Sequence, residues 1–350
     1  EELQEKNKLK KLTYFLSLLI LSSCGTSTIM VNVQKPADIT VSNNIKNIVL
    51  ANRTTPSKSN LANNIIEGIT SGENIGADRN GANYCMKGII NLLSQNERYN
   101  ISSNVELDLK GTGTSQFPLP LSPKKIKKLS KPYNADAIVV LETFDSDSRV
   151  FEGKPIEKVK KVKGVKIKEL SYPATLIIEI ESGWRIYDVE NELIVDENKF
   201  KEIKEFKVWG SSPKEAKMKL PSKNFAIKEA GFFAGEQYAQ RISPIWITVN
   251  RTFYSGKDES LKKAKEYVKI NEWEQAIKIW KNLSQSNDQK VSSQACFNMA
   301  LASEVNGSID TALSWARKAL SKGDKRASSY INTLKRRKID QIKLNNQLNN

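Results

Sequence analysis

The 350-residue chain contains no histidine. That excludes every triad or dyad with an imidazole base and every His-liganded zinc or haem site. Cysteine is scarce, at three residues, so neither a disulfide scaffold nor a four-cysteine metal centre can be built. Gly111-Thr112-Gly113-Thr114 looks like a phosphate loop, but no further glycine and no Gly-Lys-Ser/Thr follow, so it reads as a turn. No cofactor is expected. Nor does the chain carry an RNA-binding signature, a zinc finger or a basic zipper, and nucleic acid is not an expected partner.

What is present starts with charge. Lys and Arg number 55 against 39 Asp and Glu, a net +16. Lys, Asn and Ile are all frequent, so compositional bias explains the excess before any polyanion site does. Hydrophobic residues make up 39%, enough for packed cores, and the length suits two or three domains.

Lys6, Lys8, Lys10 and Lys11 precede the apolar stretch Leu12–Leu21, which ends in Ser22-Ser23-Cys24. The stretch is too short to span a bilayer and fits a signal h-region. Leu21-Ser22-Ser23-Cys24 resembles a bacterial lipobox, in which the cysteine is acylated and becomes the new N-terminus. That resemblance implies a signal peptide over 1–23, lipidation at Cys24 and a membrane anchor of two or more acyl chains. Without an acidic cluster after Cys24, the expected location is the outer membrane, facing the periplasm. Residues 24–42 read as a tether.

Over 43–255 the order is strand, helix, strand, helix, strand, hairpin, helix, strand, which predicts a mixed-sheet α/β domain. Ile45–Asn52 and Ala135–Glu142 are near-continuous apolar runs expected as buried strands. Ala174–Asp188 and Glu192–Trp209 predict an antiparallel hairpin, and Ser122-Pro123 predicts a helix start. Cys85 and Cys296 sit among apolar neighbours in different domains and read as small buried hydrophobes.

Pro36–Thr40, Ile48–Arg53, Glu67-Gly68-Ile69, Ala135–Asp147, Gly183–Asp188 and Tyr238–Trp246 together resemble a Bacteroidota lipoprotein family, the domain of unknown function numbered 6340. The resemblance covers roughly 30–255 and the helices beyond, and implies an envelope lipoprotein with no known activity. The element order is similar, in topology only, to periplasmic lipoprotein domains of the curli-secretion and penicillin-binding-protein-activator types.

After Gly256 the pattern is helical. Ala264, Tyr267, Trp273, Ala276 and Trp280 recur 36 residues later as Ala300, Ser303, Ile309, Ala312 and Ala316, and Asn271 recurs as Gly307. This resembles two tetratricopeptide repeats over 256–325, their 34-residue period stretched near Ser286–Gln289. Residues 326–350 read as a capping helix and tail. Ala264, Tyr267, Trp273, Ala276, Trp280, Ala300, Gly307, Ala312 and Ala316 are the expected repeat-packing positions.

Asp145-Ser146-Asp147 is a D-x-D of the kind that holds a divalent metal, but after a strand it reads as a polar exit. No metal site is expected. Lys158, Lys160, Lys161, Lys163, Lys166 and Lys168, interleaved with Val and Ile, are candidate anion-binding residues, against the plainer reading of a solvated hairpin. Arg185 and Tyr187 are expected as an exposed pair behind a buried Trp184 and Ile186.

The expected function is that of a lipid-anchored envelope lipoprotein that binds or scaffolds a protein partner on its helical repeats, without catalysis. The alternative is an envelope hydrolase using Asp/Glu chemistry in the α/β domain. A pocket with two facing carboxylates would favour the second.

Overall fold

The computed structural model describes residues 25–57, 75–95, 97–162, 164–256 and 258–349. They divide into two compact units. One comprises Ala37–Ile245 with the last few residues, the other residues 25–36 with Trp246–Asn346.

The first unit is the expected mixed α/β sheet. Its strands are β2 (Asn47–Pro56), β3 (Asn100–Gly111), β4 (Ala137–Glu152), β5 (Ile156–Val162), β6 (Val165–Asp188) and β7 (Ile194–Gly210). The order is β3-β2-β4-β6, with both β5 and β7 on β6. β2 runs parallel to β3 and β4, and every pairing of β6 is antiparallel. Helices α1 (Ile75–Leu93) and α4 (Lys223–Ile242) cover one face, α2 (Pro123–Ser130) covers part of the other, and α3 (Pro213–Met218) is a short turn of helix after β7.

This layering explains the unbroken apolar runs. Ile48, Leu50, Ala137, Val139 and Leu141 face α1 and α4, whereas Val49, Ala51, Ile138 and Val140 face α2. Both faces are dry, so alternation disappears, and each large side chain contributes about 1.5–3 kcal/mol by leaving water. Ser122 caps α2 and Ser222 caps α4, each accepting a backbone N–H three residues on. α1 and α4 touch through backbone. A Cβ at Gly88 would lie 2.0 Å from the Phe232 carbonyl oxygen, and one at Gly235 would lie 1.9 Å from that of Cys85. No other residue fits either place.

β4 continues well beyond Glu142, through the D-x-D, so Asp145 and Asp147 are strand residues rather than a strand exit. At Glu142 it bulges. Leu141 pairs with Trp184 and Thr143 with Gly183, which leaves Glu142 as the extra residue.

The second unit holds β1 (Thr26–Lys35), β8 (Ile245–Tyr254) and five helices, α5 (Glu259–Lys269), α6 (Trp273–Leu283), α7 (Gln289–Val305), α8 (Ile309–Ser321) and α9 (Arg326–Asn349). β1 and β8 form their own two-stranded sheet. Two boundaries therefore differ from the sequence expectation. Residues 26–35, expected as tether, are a strand, because Val31 and Val33 find an apolar surface on the helices. β8, expected to close the α/β domain, pairs with β1 instead. The signal segment 1–23 and Cys24 lie outside the described residues.

The 36-residue period is visible in the hydrogen bonds. Glu272 N–H donates to Tyr267 O and Asn271 N–H to Val268 O, and the same pair recurs as Ser308 to Ser303 and Gly307 to Glu304. These are Schellman turns, and their αL residues are Asn271 (φ 62) and Gly307 (φ 75). Asp258 and Asp288 cap α5 and α7 in the same way.

Candidate functional site

The helical repeat is the best-formed candidate, and its residues fall where the period places them. Ala264, Ala276, Trp280, Ala300, Ala312 and Ala316 are fully buried, while Tyr267 and Trp273 are partly buried against the same core as Trp280. Trp273 and Trp280 meet edge to face at 6.4 Å, and Phe253 adds a second edge contact to Trp280 at 6.1 Å.

α7 is buried on almost every side, including Asn298 and Glu304. One stripe packs on α8, another on α5 and α6, and β8 takes the third. The Asn298 amide completes both backbone bonds of Tyr254, donating to its carbonyl at 2.6 Å and accepting its N–H at 2.7 Å. The Tyr254 ring meets Phe297 at 5.4 Å and its hydroxyl donates to Asp324. From α9, Arg326 donates to Thr252, and Arg337 donates to the Gln34 carbonyl on β1. On α5, Leu261, Ala264 and Val268 share a core with Val31, Val33 and Phe253. The face shared by the first helices of the pairs is thus occupied by the chain's own β1–β8 ribbon.

A fully buried carboxylate holds that arrangement. Glu304 accepts two bonds from Arg251, both at 2.8 Å, and one from the Tyr330 hydroxyl at 2.7 Å, with Arg337 at 3.9 Å. Burial, then the neighbouring Glu304 charge, push the Tyr330 hydroxyl far above its ordinary pKa, so it stays a donor. The α/β unit contains a second such centre. Glu142 accepts from Tyr187 at 2.6 Å, Arg53 at 3.0 Å and Arg185 at 3.4 Å. Arg185 also bonds Glu197 and the Pro118 carbonyl, and Arg53 bonds the Leu119 carbonyl. The cluster clamps the extended 117–121 segment onto the sheet. Arg185 and Tyr187 are therefore buried, against expectation, because that segment covers their face. A carboxylate at the end of the apolar run 137–141 was the available signal.

The D-x-D carboxylates stand opposite two glutamates, Asp145 facing Glu181 and Asp147 facing Glu179. Arg149 and Lys201 pair with Glu179, and Lys199 pairs with Glu181 at 2.7 Å. Among the described residues no three metal-ligating groups converge. Asp78 at the start of α1 accepts the Ser146 hydroxyl, and burial raises its pKa to about 6. An open depression of about 140 Å³ is lined by Asp136, Asp188 and Asn191 among others. Of its three carboxylates, Asp136 accepts from the Lys46 and Asn47 backbone and Asp188 from that of Asn191, while Glu190 is exposed.

Of the candidate anion-binding residues, Lys158, Lys160 and Lys161 lie on β5 and Lys166 and Lys168 on β6, all exposed. Lys163 lies outside the described residues. Cys85 and Cys296 are free and buried, one in each unit.

Comparison with known families follows the sheet and the helices separately. Residues 45–254 match the family model of a domain of unknown function, DUF8603. The chain belongs to that family. A second model, domain of unknown function DUF6340, matches residues 262–336. The likeness to family 6340 is therefore found on the helices, while the stretch that suggested it, roughly 30–255, is mostly DUF8603 sequence. The comparison with curated proteins gives no match. A solved structure described as a neuraminyllactose-binding hemagglutinin homolog from Helicobacter pylori is 12% identical, covering 60% of this chain and 88% of that one, with a TM-score of 0.21. So low a score carries over neither fold nor ligand. Among the described residues no helix is long and apolar enough to cross a membrane.

Proposed function

We propose that this DUF8603 protein is a non-catalytic binding lipoprotein of the bacterial envelope, anchored through acylated Cys24 at the outer membrane and facing the periplasm, whose second unit holds an extended segment of a protein partner. The filled helix face carries this reading. With the ribbon seated on α5, α7 and α9, the surface left for a partner is the ribbon's outer side. There Met30 is 73% exposed and Trp246 62% exposed, between Thr28, Asn32, Thr248 and Asn250. Among the described residues β1 and β8 pair only with each other, so each keeps an open edge on which a partner strand can be added. Trp and Met are residues that interfaces favour. The absence of a histidine base and the committed state of Asp136 and Asp188 support binding over hydrolysis.

The test is photocrosslinking in intact cells. A photoreactive residue at Trp246 or Met30 should capture a partner, and one at Lys278 on α6 should not. Capture at Lys278 alone moves the contact to the helices, and turnover of an envelope substrate that a single Asp or Glu substitution abolishes defeats the reading.

A further inference from the structure

Among the described residues, β5 and the first part of β6 form a two-stranded ribbon with no third strand beside it. Over Ile156–Ser171 the two strands pair only with each other, from Ile156 opposite Ser171 to the turn at Gly164. β4 and β7 join β6 only from Tyr172 onward. Every side chain described between Ile156 and Leu170 is exposed. Both faces of this arm are therefore in water.

Its chemistry does not suit water alone. Val159 is 60% and Val165 64% exposed, and Ile156, Ile167 and Leu170 are exposed as well. Apolar side chains on both sides of a free ribbon gain nothing from solvent. The cations are equally unresolved. Glu157 is held by Lys168 at 2.9 Å, and Lys158 lies over the Trp209 ring at 4.3 Å. Of the other described lysines on β5, Lys160 faces Ile167 with Glu169 diagonally across on the same face, and Lys161 faces Lys166. Like charges placed directly opposite destabilise a two-stranded ribbon, and on the face that Lys161 and Lys166 share, the described carboxylate, Glu157, is held by Lys168. A counter-charge from outside offsets them.

We infer that the β5–β6 arm is a docking element for an anionic lipid bilayer through the one face that Val159, Lys161, Lys166 and Leu170 share, with Lys161 and Lys166 at the headgroups and Val159 and Leu170 entering the acyl boundary. The presence of both residue types on that one face selects a bilayer over a soluble polyanion. A polyanion satisfies the lysines and leaves Val159 and Leu170 in water, whereas a bilayer takes both. This contact is independent of the acyl anchor proposed at Cys24 and of the partner surface on β1 and β8.

The test uses the chain from Gly25 to Asn350, which contains every element described and no acylated cysteine, so the anchor plays no part in the result. It should cosediment with vesicles of phosphatidylglycerol in phosphatidylcholine, and release as salt rises, but not with phosphatidylcholine alone. The variant Lys161→Glu, Lys166→Glu should lose about tenfold or more of that partitioning. Val159→Ser with Leu170→Ser should lose several-fold while keeping all the charge. Both sets are exposed, and an unchanged melting temperature confirms that the fold survives. Equal binding to neutral and anionic vesicles, or no loss in the lysine variant, overturns the inference. So does a serine variant that binds as the parent does, since that result assigns the lysines to a soluble polyanion.

Discussion

Each unit is organised around one buried glutamate, and the two centres are built alike from unrelated elements. Glu142 and Glu304 are both fully buried, and each meets two arginines and a tyrosine hydroxyl. In the sheet unit the partners come from β2 and β6, and the centre holds an irregular segment against the sheet. In the repeat unit they come from β8 and α9, and the centre holds a strand against a helix array. The difference lies in what would otherwise be left exposed. The sheet needs a cover where α2 stops, and the repeat needs an occupant for its first-helix face. A buried charge stabilises little by itself, but it fixes which segment lies there.

The largest effect expected follows from removing either charge. Glu142→Gln or Glu304→Gln leaves two arginines facing an uncharged amide, which costs about 3–5 kcal/mol. Hydrogen exchange by mass spectrometry locates the damage. Glu142→Gln should raise exchange across β4 and β6 and leave α7 and α8 protected, and Glu304→Gln should do the reverse. If either variant loosens both units, they unfold as one block and the comparison fails.

A third carboxylate sharpens the contrast because it lacks an arginine. Asp78 has an ordinary value of 3.8, and burial, partly opposed by the Ser146 bond, raises it to about 6 in the folded chain. Between those values the folded state holds a proton that the unfolded state has released. Its stabilising contribution is therefore complete below about pH 4 and is lost as pH rises through 6. Asp78→Asn should remove that slope and raise stability at pH 7 by about 1–2 kcal/mol, read from urea midpoints at pH 4 and 7. An unchanged slope would mean that Asp78 is already ionised at pH 5.

Sequence reading reached the two regions unequally, for physical reasons. Local signals were legible. The runs at 48–51 and 137–141, the Ser122 cap, the β6–β7 hairpin and the 36-residue period each depend on neighbours a few residues apart or on a repeat of the same unit. The long-range pairings were not. β1 alternates correctly, with Ile29, Val31 and Val33 turned inward, yet its Ser and Thr content reads as linker when its partner strand lies more than 200 residues away. Glu304 sits in a helix that looks like any repeat helix, and its arginines come from β8 and α9. Arg185 and Tyr187 alternate as expected on β6, but no local feature shows that residues 117–121 fold over them.

The smallest effect tests the repeat itself, at the two positions where its period demands a left-handed backbone. Asn271 and Gly307 close equivalent turns, with φ of 62 and 75. A Cβ added at Gly307 meets nothing within 4 Å, so Gly307→Ala changes backbone preference and no packing. It should destabilise by about 1 kcal/mol, the usual penalty for a non-glycine residue in αL. Asn tolerates αL better than most residues but less well than Gly, so Asn271→Gly should be neutral or stabilise by a few tenths. The Trp273 indole also donates to the Asn271 side chain at 3.0 Å, an exposed bond whose loss offsets part of that gain. Opposite signs at the two turns, measured as melting temperatures of the full chain, are the signature of one turn motif used twice. Equal losses at both would show that the first repeat depends on the Asn271–Trp273 contact, and that the two repeats share a period without sharing the reason for it.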